Sequence, residues 1–409
     1  MRFLVIFIFS FYLFADVDAT IRIEKDVESR SRVAIIDGSV GVSPNINSKF
    51  FEILLADLKI SGHFLADKTH YMGRGADFSS KDYIIKYKFS IEDSASLNIQ
   101  LIEVSSDKQI MSKNYNIPSF SKYPFLVHQA VSDINQFLKY PSISWINRYL
   151  VFSRYTSKKQ SEIILSDYTM NYRKVIISGG LNLFPKWADK NQRTLYYTSY
   201  NSLIPTLYKL NIYNGSKIKI ASSEGMLVCS DVKGSKILVT MAPNGQPDIY
   251  EIDTLSGVKN RLTSFSGIDV KGRYVDGGDS MIFISNPLGY ANVYKKSLYG
   301  TSVSQLVYHG KNNNSCDAYG KSIVYSSRET KSGYSKNRFN IYLASSNGYN
   351  TKPLTSTGSN QLPTFSSDGS VVLYVKSRGN SSSIGYINLK DLKTVQFPLS
   401  GRKIQSLDW

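Results

Sequence analysis

The sequence of 409 residues, 42% hydrophobic and 20% charged, excludes a disordered chain and leaves room for two or three packed domains. Lys and Arg outnumber Asp and Glu by 49 to 32, a formal +17, while 29 Tyr, 20 Phe and 27 Gly point to many short strands and tight turns. Two cysteines in so long a chain exclude a disulfide framework.

Met1-Arg2, the uncharged run from Phe3 to Phe14 and the small residues around Ala15 and Ala19 give a basic start, a twelve-residue apolar core and a cleavage region. Residues 1–19 are therefore expected to be a secretory signal peptide; twelve apolar residues fall short of the roughly 20 that span a bilayer. Cleavage after Ala19 removes Arg2, Asp16 and Asp18 from the totals, leaving 48 basic against 30 acidic residues and a formal +18. An exported chain meets no genome. That sets nucleic acid aside and turns the charge toward anionic envelope components or an acidic protein.

Residues 20–140 mix the two periodicities and read as a small α/β domain. Val33-Ala-Ile-Ile36 is a short buried strand; after the possible caps Asn45 and Asn47, apolar residues at Ile46, Phe50, Ile53, Leu54 and Leu58 have helical spacing, with Gly62 as the stop. Strands are expected at Tyr83, at Leu97 to Ile102 and at Ile110 to Ile117. A second helix starts at Pro124, with Leu126, Val127, Ala130, Val131, Ile134, Phe137 and Leu138 on one face. Gly73-Arg74-Gly75 is too short for a nucleotide-binding fingerprint and reads as a loop.

From Ile143 a repeat takes over. A pair ending in Ile or Tyr recurs at Ile164, Tyr208, Tyr250, Tyr294, Tyr342 and Tyr386, at intervals of 44, 42, 44, 48 and 44 residues, the period of a propeller blade. A bulky or apolar residue recurs just before a tight turn, at Trp187, Cys229, Tyr274, Cys316 and Phe365, and Trp409 lies 44 residues beyond the last. The cysteines thus read as core filler. Ile404 to Trp409 has no following strands of its own, so it is expected to supply the inner strand of a truncated first blade. The expected fold class is an α/β N-terminal domain followed by an all-β six-bladed β-propeller, residues 141–409.

Chemistry is sparse. The four histidines, His63, His70, His128 and His309, show no metal-ligand spacing, and there is no nucleophile elbow or phosphate loop. Asp189, Asp231, Asp279, Asp368 and Asp391 read as turn acids. No catalytic residue, metal ligand or cofactor site is expected. In a blade of alternating strands, the interblade loops and the turns between second and third strands emerge on one face. Asn182, Lys271, Arg273, Lys311, Asn312, Asn313, Asn360, Gln361 and Arg402 fall on the former; Arg328, Lys331, Lys336 and Arg338 form a basic loop among the latter.

The apolar strand at Val33, the segment Leu55-Ala-Asp-Leu-Lys-Ile-Ser-Gly-His-Phe64 and the blade motif Pro363-Thr-Phe-Ser-Ser-Asp-Gly369, weakened at Pro185-Lys-Trp-Ala-Asp189, resemble the TolB family. The resemblance implies a monomeric, non-enzymatic periplasmic adaptor of the Tol-Pal system. It implies a Pal-like outer-membrane lipoprotein as partner for the interblade loops. It also implies a TolA-like inner-membrane protein as partner for the mature N-terminus, here Thr20, Ile21, Arg22, Ile23 and Glu24, by addition of a strand. The third to fifth blades lack the family's Pro, so individual contacts are not carried over. The alternative is an exported propeller enzyme acting on cell-wall or oligosaccharide material through turn acids.

Overall fold

The computed structural model describes residues 30–73, 76–92, 94–329, 338–379, 381–399 and 403–409. The expected signal peptide, Thr20 to Glu24, Lys331, Lys336 and Arg402 lie outside them.

The first sheet is built from β1 (Ser31–Asp37), β2 (Phe64–Ala66), β3 (Tyr71–Met72), β4 (Tyr83–Ile91), β5 (Ala95–Glu103) and β6 (Lys108–Ile117), in the order β2-β1-β4-β5-β6, with β3 also on β1. Strand β1 is parallel to β2, β3 and β4, and β4 to β6 form an antiparallel meander. The meander explains the strict alternation in β5, where Ala95, Leu97, Ile99 and Leu101 are buried between polar neighbours. Helices α1 (Pro44–Ser61) and α2 (Tyr123–Phe137) cover the apolar face through Phe50, Leu54, Leu58, Val127, Val131 and Ile134.

Helix α1 starts earlier than Asn45 or Asn47 suggests, with Ser43 extended as N-cap and Pro44 presetting the first turn. Gly62 ends it in the left-handed region at φ 76°. A side chain there would also meet Asn388 of the last blade, whose Nδ2 lies 2.9 Å from the position a Cβ would take.

Six four-stranded antiparallel sheets follow. Their inner strands are Ile404–Asp408, Asn182–Trp187, Leu227–Lys233, Asp269–Val275, Lys311–Tyr319 and Ser359–Phe365, for blades 1 to 6. The repeat read from the sequence is a register. Ile164, Tyr208, Tyr250, Tyr294, Tyr342 and Tyr386 each lie on a third strand opposite an apolar residue of the second: Phe152, Tyr197, Val239, Phe283, Tyr325 and Leu373. Cys229 and Cys316 are free and buried within their inner strands, and burial raises both thiols, Cys316 to about 12.

The C-terminal strand closes the ring. Ile404–Asp408 pairs antiparallel with Leu150–Ser157, placing Leu407 opposite Phe152 and Asp408 opposite Val151. Trp409 Nε1 donates to the Phe365 carbonyl at 2.7 Å, and its ring packs on Trp145 and Tyr386. Deleting residues 402–409 is expected to remove cooperative propeller unfolding, and Trp409→Ala to cost about 3 kcal/mol. Thermal melts followed by near-ultraviolet circular dichroism read both; an unchanged melt of the truncated chain would refute closure by this strand.

Candidate functional site

Because the strands of each blade alternate in direction, the interblade connections and the second-to-third turns surround one mouth of the central channel. The α/β domain occupies the opposite face. Its contacts fall on third-to-fourth turns: Arg30 pairs with Asp391 at 2.8 Å and Asn388 Nδ2 donates to the Ile60 carbonyl at 2.9 Å on blade 6. His128 and Asp57 meet Asp167 and Tyr168 on blade 1. The described residues of this domain make their propeller contacts on that face, away from the mouth.

Inside the channel, blades alternate in role. On blades 2, 4 and 6 a bulge places Phe184, Lys271 and Leu362, each three residues before Trp187, Tyr274 and Phe365, at φ of 58°, 57° and 56°. None is glycine, so each conformation carries a cost of about 1 kcal/mol. It is held by a preceding-blade hydroxyl that accepts the strained N–H: Ser406 from Phe184 at 3.0 Å, Thr240 from Lys271 at 3.2 Å, and Ser315 from Leu362 at 3.3 Å. Lower in the channel the odd blades supply carboxylates. Asp408, Asp231 and Asp317 each accept, at 2.8 Å, the backbone N–H of Trp187, Tyr274 and Phe365 on the next blade. The ring is three blade pairs.

The same carboxylates meet the channel cations. Lys186 Nζ is 2.8 Å from Asp408, while Arg273 reaches Asp317 at 3.4 Å and Asp231 at 3.7 Å. Burial opposes the Arg273 charge, but these carboxylates hold its pKa above the usual value; burial pushes the Asp317 carboxyl up, against Arg273. Lys271 sits nearer the mouth without a carboxylate partner among the described residues, and burial, aided by Arg273, lowers its pKa to about 8. It lines a recess of about 190 Å³ with Phe184, Met226, Val228, Leu362 and Gln405.

The residues expected on interblade loops are placed differently. Asn182, Lys271, Arg273, Lys311, Asn312, Asn313, Asn360 and Gln361 all belong to inner strands. Asn182, Asn313 and Asn360 are buried, because their amides bond the turns beside them. Asn182 Nδ2 donates to the Gly179 carbonyl, Asn313 Nδ2 to Asn292 and the His309 carbonyl, and Asn360 Nδ2 to Asn340, Thr355 and the Thr357 carbonyl. Gln361 and Asn312 are half-buried, and Lys311 is exposed with its ammonium 4.8 Å above the Tyr290 ring. Arg328 lies over Phe339, and Arg338 opens the next strand.

Among the turn acids, Asp189 accepts from Arg193 and Thr194, Asp368 from Ser366 and Ser370, and Asp391 from Lys393. Asp231 is the exception, a channel carboxylate on a strand. Sequence reasoning missed the apolar side of the mouth: Leu203, Ile204, Met226, Leu288, Tyr290 and Tyr308 are exposed there, Leu288 by 71% and Tyr308 by 74%. The signal was present in the second-to-third turns, Leu203-Ile-Pro205 and Pro287-Leu-Gly-Tyr290. Among the described residues no group of His, Cys, Asp or Glu could hold a metal ion, and no helix is long and apolar enough to cross a membrane.

His128 is fully buried and paired through both ring nitrogens. Its Nδ1 is 2.8 Å from Asp57, its Nε2 is 3.3 Å from Asp167, and the Tyr168 hydroxyl donates to Asp57 at 2.5 Å. Burial opposes its charge, yet the two carboxylates raise its pKa to about 9, while burial pushes the Asp57 carboxyl up against the pull of His128 and Tyr168.

Fold and site together define a class: a six-bladed propeller with an α/β domain packed on the face opposite its mouth. The TolB beta propeller domain family model matches residues 145–409. The Tol-Pal system protein TolB of Wolinella succinogenes is 41% identical over 410 residues, 97% of each chain, and that of Helicobacter hepaticus 37% identical over 423 residues and the whole of both. The crystal structure of TolB from Acinetobacter baumannii has the same fold, with a TM-score of 0.75 at 21% identity over 94% of this chain and 98% of that one. The chain belongs to the TolB family and is a Tol-Pal system protein.

A histidine whose pKa is raised on folding stabilises the fold fully below its unfolded value near 6.5 and loses that contribution as pH rises through about 9. Wild-type urea stability is expected to fall between pH 7 and 10, and His128→Gln to flatten that slope while costing about 3 kcal/mol at pH 6. An identical pH slope in the variant would count against the cluster as its source.

Proposed function

We propose that the chain is a non-enzymatic periplasmic adaptor that joins partner proteins across the envelope. A Pal-like outer-membrane lipoprotein binds at the propeller mouth, and a TolA-like inner-membrane protein binds residues 20–24 by strand addition. The joined complex supports outer-membrane integrity and constriction at division. The observation that carries this reading is the mouth. Exposed Leu203, Leu288, Tyr290 and Tyr308 lie on turns of the same face as a recess in which Lys271 has no carboxylate partner among the described residues. Aromatic and aliphatic anchors on the same face as one half-buried cation have the make-up of a protein-binding hot spot.

The channel carboxylates support an adaptor over a hydrolase. General acid/base work needs carboxyls free to exchange protons with substrate. Asp408 is bound by Lys186 and the Trp187 N–H, and Asp231 and Asp317 by Arg273 and the N–H groups of Tyr274 and Phe365.

Leu288→Ser with Tyr290→Ser, and separately Lys271→Glu, are each expected to weaken calorimetric binding of a purified Pal-like lipoprotein at least tenfold. Undiminished affinity in both variants would exclude the mouth. Turnover of cell-wall fragments by the wild type, abolished by Asp317→Asn, would favour the enzyme instead.

A further inference from the structure

A second concave site lies away from the mouth, in the corner where the α/β domain meets the outer strand of blade 1, Arg173–Ile177. It encloses about 370 Å³. Its floor is apolar and aromatic: Ile46 at the start of α1, Phe120 just before α2, and Tyr172 at the end of the third-to-fourth turn of blade 1. Phe120 and Ile46 are half-buried, and Tyr172 is buried. Its rim is cationic, with Lys49 from α1 facing Arg173 and Lys174 from the blade, all three exposed.

Among the described residues no carboxylate lines the corner. None of the three cations has a carboxylate within ion-pair distance among the described residues, whereas Arg154, Lys186 and Lys236 pair with acids elsewhere on the propeller. Lys122, beside Phe120 in space and sequence, lies over the Tyr149 ring at 5.8 Å, so the positive field extends along the α2 side. The blade contributes more than charge. Arg173–Ile177 is the last strand of its sheet, and its outer edge has no strand partner among the described residues. An edge of this kind presents backbone donors and acceptors to an extended chain.

We infer that this corner is a docking site for an extended acidic peptide segment of a partner protein, one that alternates carboxylates with apolar side chains. The carboxylates face Lys49, Arg173 and Lys174, the apolar side chains sit on Ile46, Phe120 and Tyr172, and the backbone runs along the blade 1 edge. A flat lipid surface does not reach a recessed corner, and a lone phosphate leaves the aromatic floor unused. The site is separate from the mouth and does not depend on what the mouth binds.

The test uses the full chain and a fluorescein-labelled peptide of glutamates interspersed with Phe and Leu, read by anisotropy and by carbodiimide cross-linking with mass spectrometry. Expected are cross-links concentrated at Lys49 and Lys174, at least tenfold weaker binding in Lys49→Glu/Arg173→Glu/Lys174→Glu, weaker binding in Phe120→Ser, and unchanged binding in Lys311→Glu at the mouth. Cross-links scattered over mouth lysines, or equal affinity of the triple variant, would overturn the assignment. So would a site that takes inorganic polyphosphate as tightly as the peptide and ignores Phe120→Ser, a simple anion site. Loss of anionic-vesicle sedimentation in the triple variant with peptide binding intact would overturn it in favour of lipid.

Discussion

A closed ring of sheets depends on the junction between its last blade and its first, because every other blade interface is made between neighbours in sequence. Here that junction is made three ways. Backbone pairing comes from Ile404–Asp408 on Leu150–Ser157. Trp409 adds a hydrogen bond to Phe365 and an aromatic contact with Trp145 and Tyr386. The third element is the α/β domain, which reaches blade 6 through Arg30 and Ile60 and blade 1 through Asp57 and His128. One continuous apolar core runs from Phe50 and Val131 through Trp145 and Tyr168 to Leu373, Tyr386 and Ile404. The domain thus spans the seam, and opening the ring would expose part of its own core.

The channel follows from the same demand. Neighbouring inner strands converge on the axis, where side chains crowd and strand ends leave N–H groups unpaired. A carboxylate from each odd blade takes an N–H of the next blade, and a hydroxyl takes the N–H of left-handed Phe184, Lys271 and Leu362. Breaking one such bond leaves a buried donor or charge uncompensated, at a cost of 1–3 kcal/mol or more. These contacts fix the blade angles, and with them the recess at Lys271. The polar interior of the channel is therefore part of the framework, and the recognition surface lies above it, at the rim.

The blades were legible in the sequence because their signal is periodic: Ile164, Tyr208 and their counterparts sit at one register position, and a spacing near 44 residues needs no knowledge of long-range contacts. The α/β elements were legible for a similar local reason. The inner-strand starts were misread as loops because Gly179-Gly-Leu-Asn182 and Gly310-Lys-Asn-Asn-Asn314 have loop composition. Their asparagines serve as internal staples whose partners, such as Asn292 and Asn340, are some 20 residues away. The left-handed Phe184, Lys271 and Leu362 carry no local mark, since nothing in those residue types prefers that conformation. His128 looked isolated because its partners, Asp57 and Asp167, lie 71 and 39 residues distant.

Net charge changes meaning once burial is known. Among the described residues eight acids are buried, Asp37, Asp57, Asp167, Asp248, Glu251, Asp269, Asp317 and Asp408, against a single buried lysine, Lys296. Acids hold backbone N–H groups and internal cations, so the outer surface is more basic than the formal +17 indicates. At the ionic strength of most media that excess is screened beyond about 10 Å. Its effect on recognition is thus local, strongest where cations without a carboxylate partner stand beside apolar surface in a concavity. The mouth and the blade 1 corner both meet that condition.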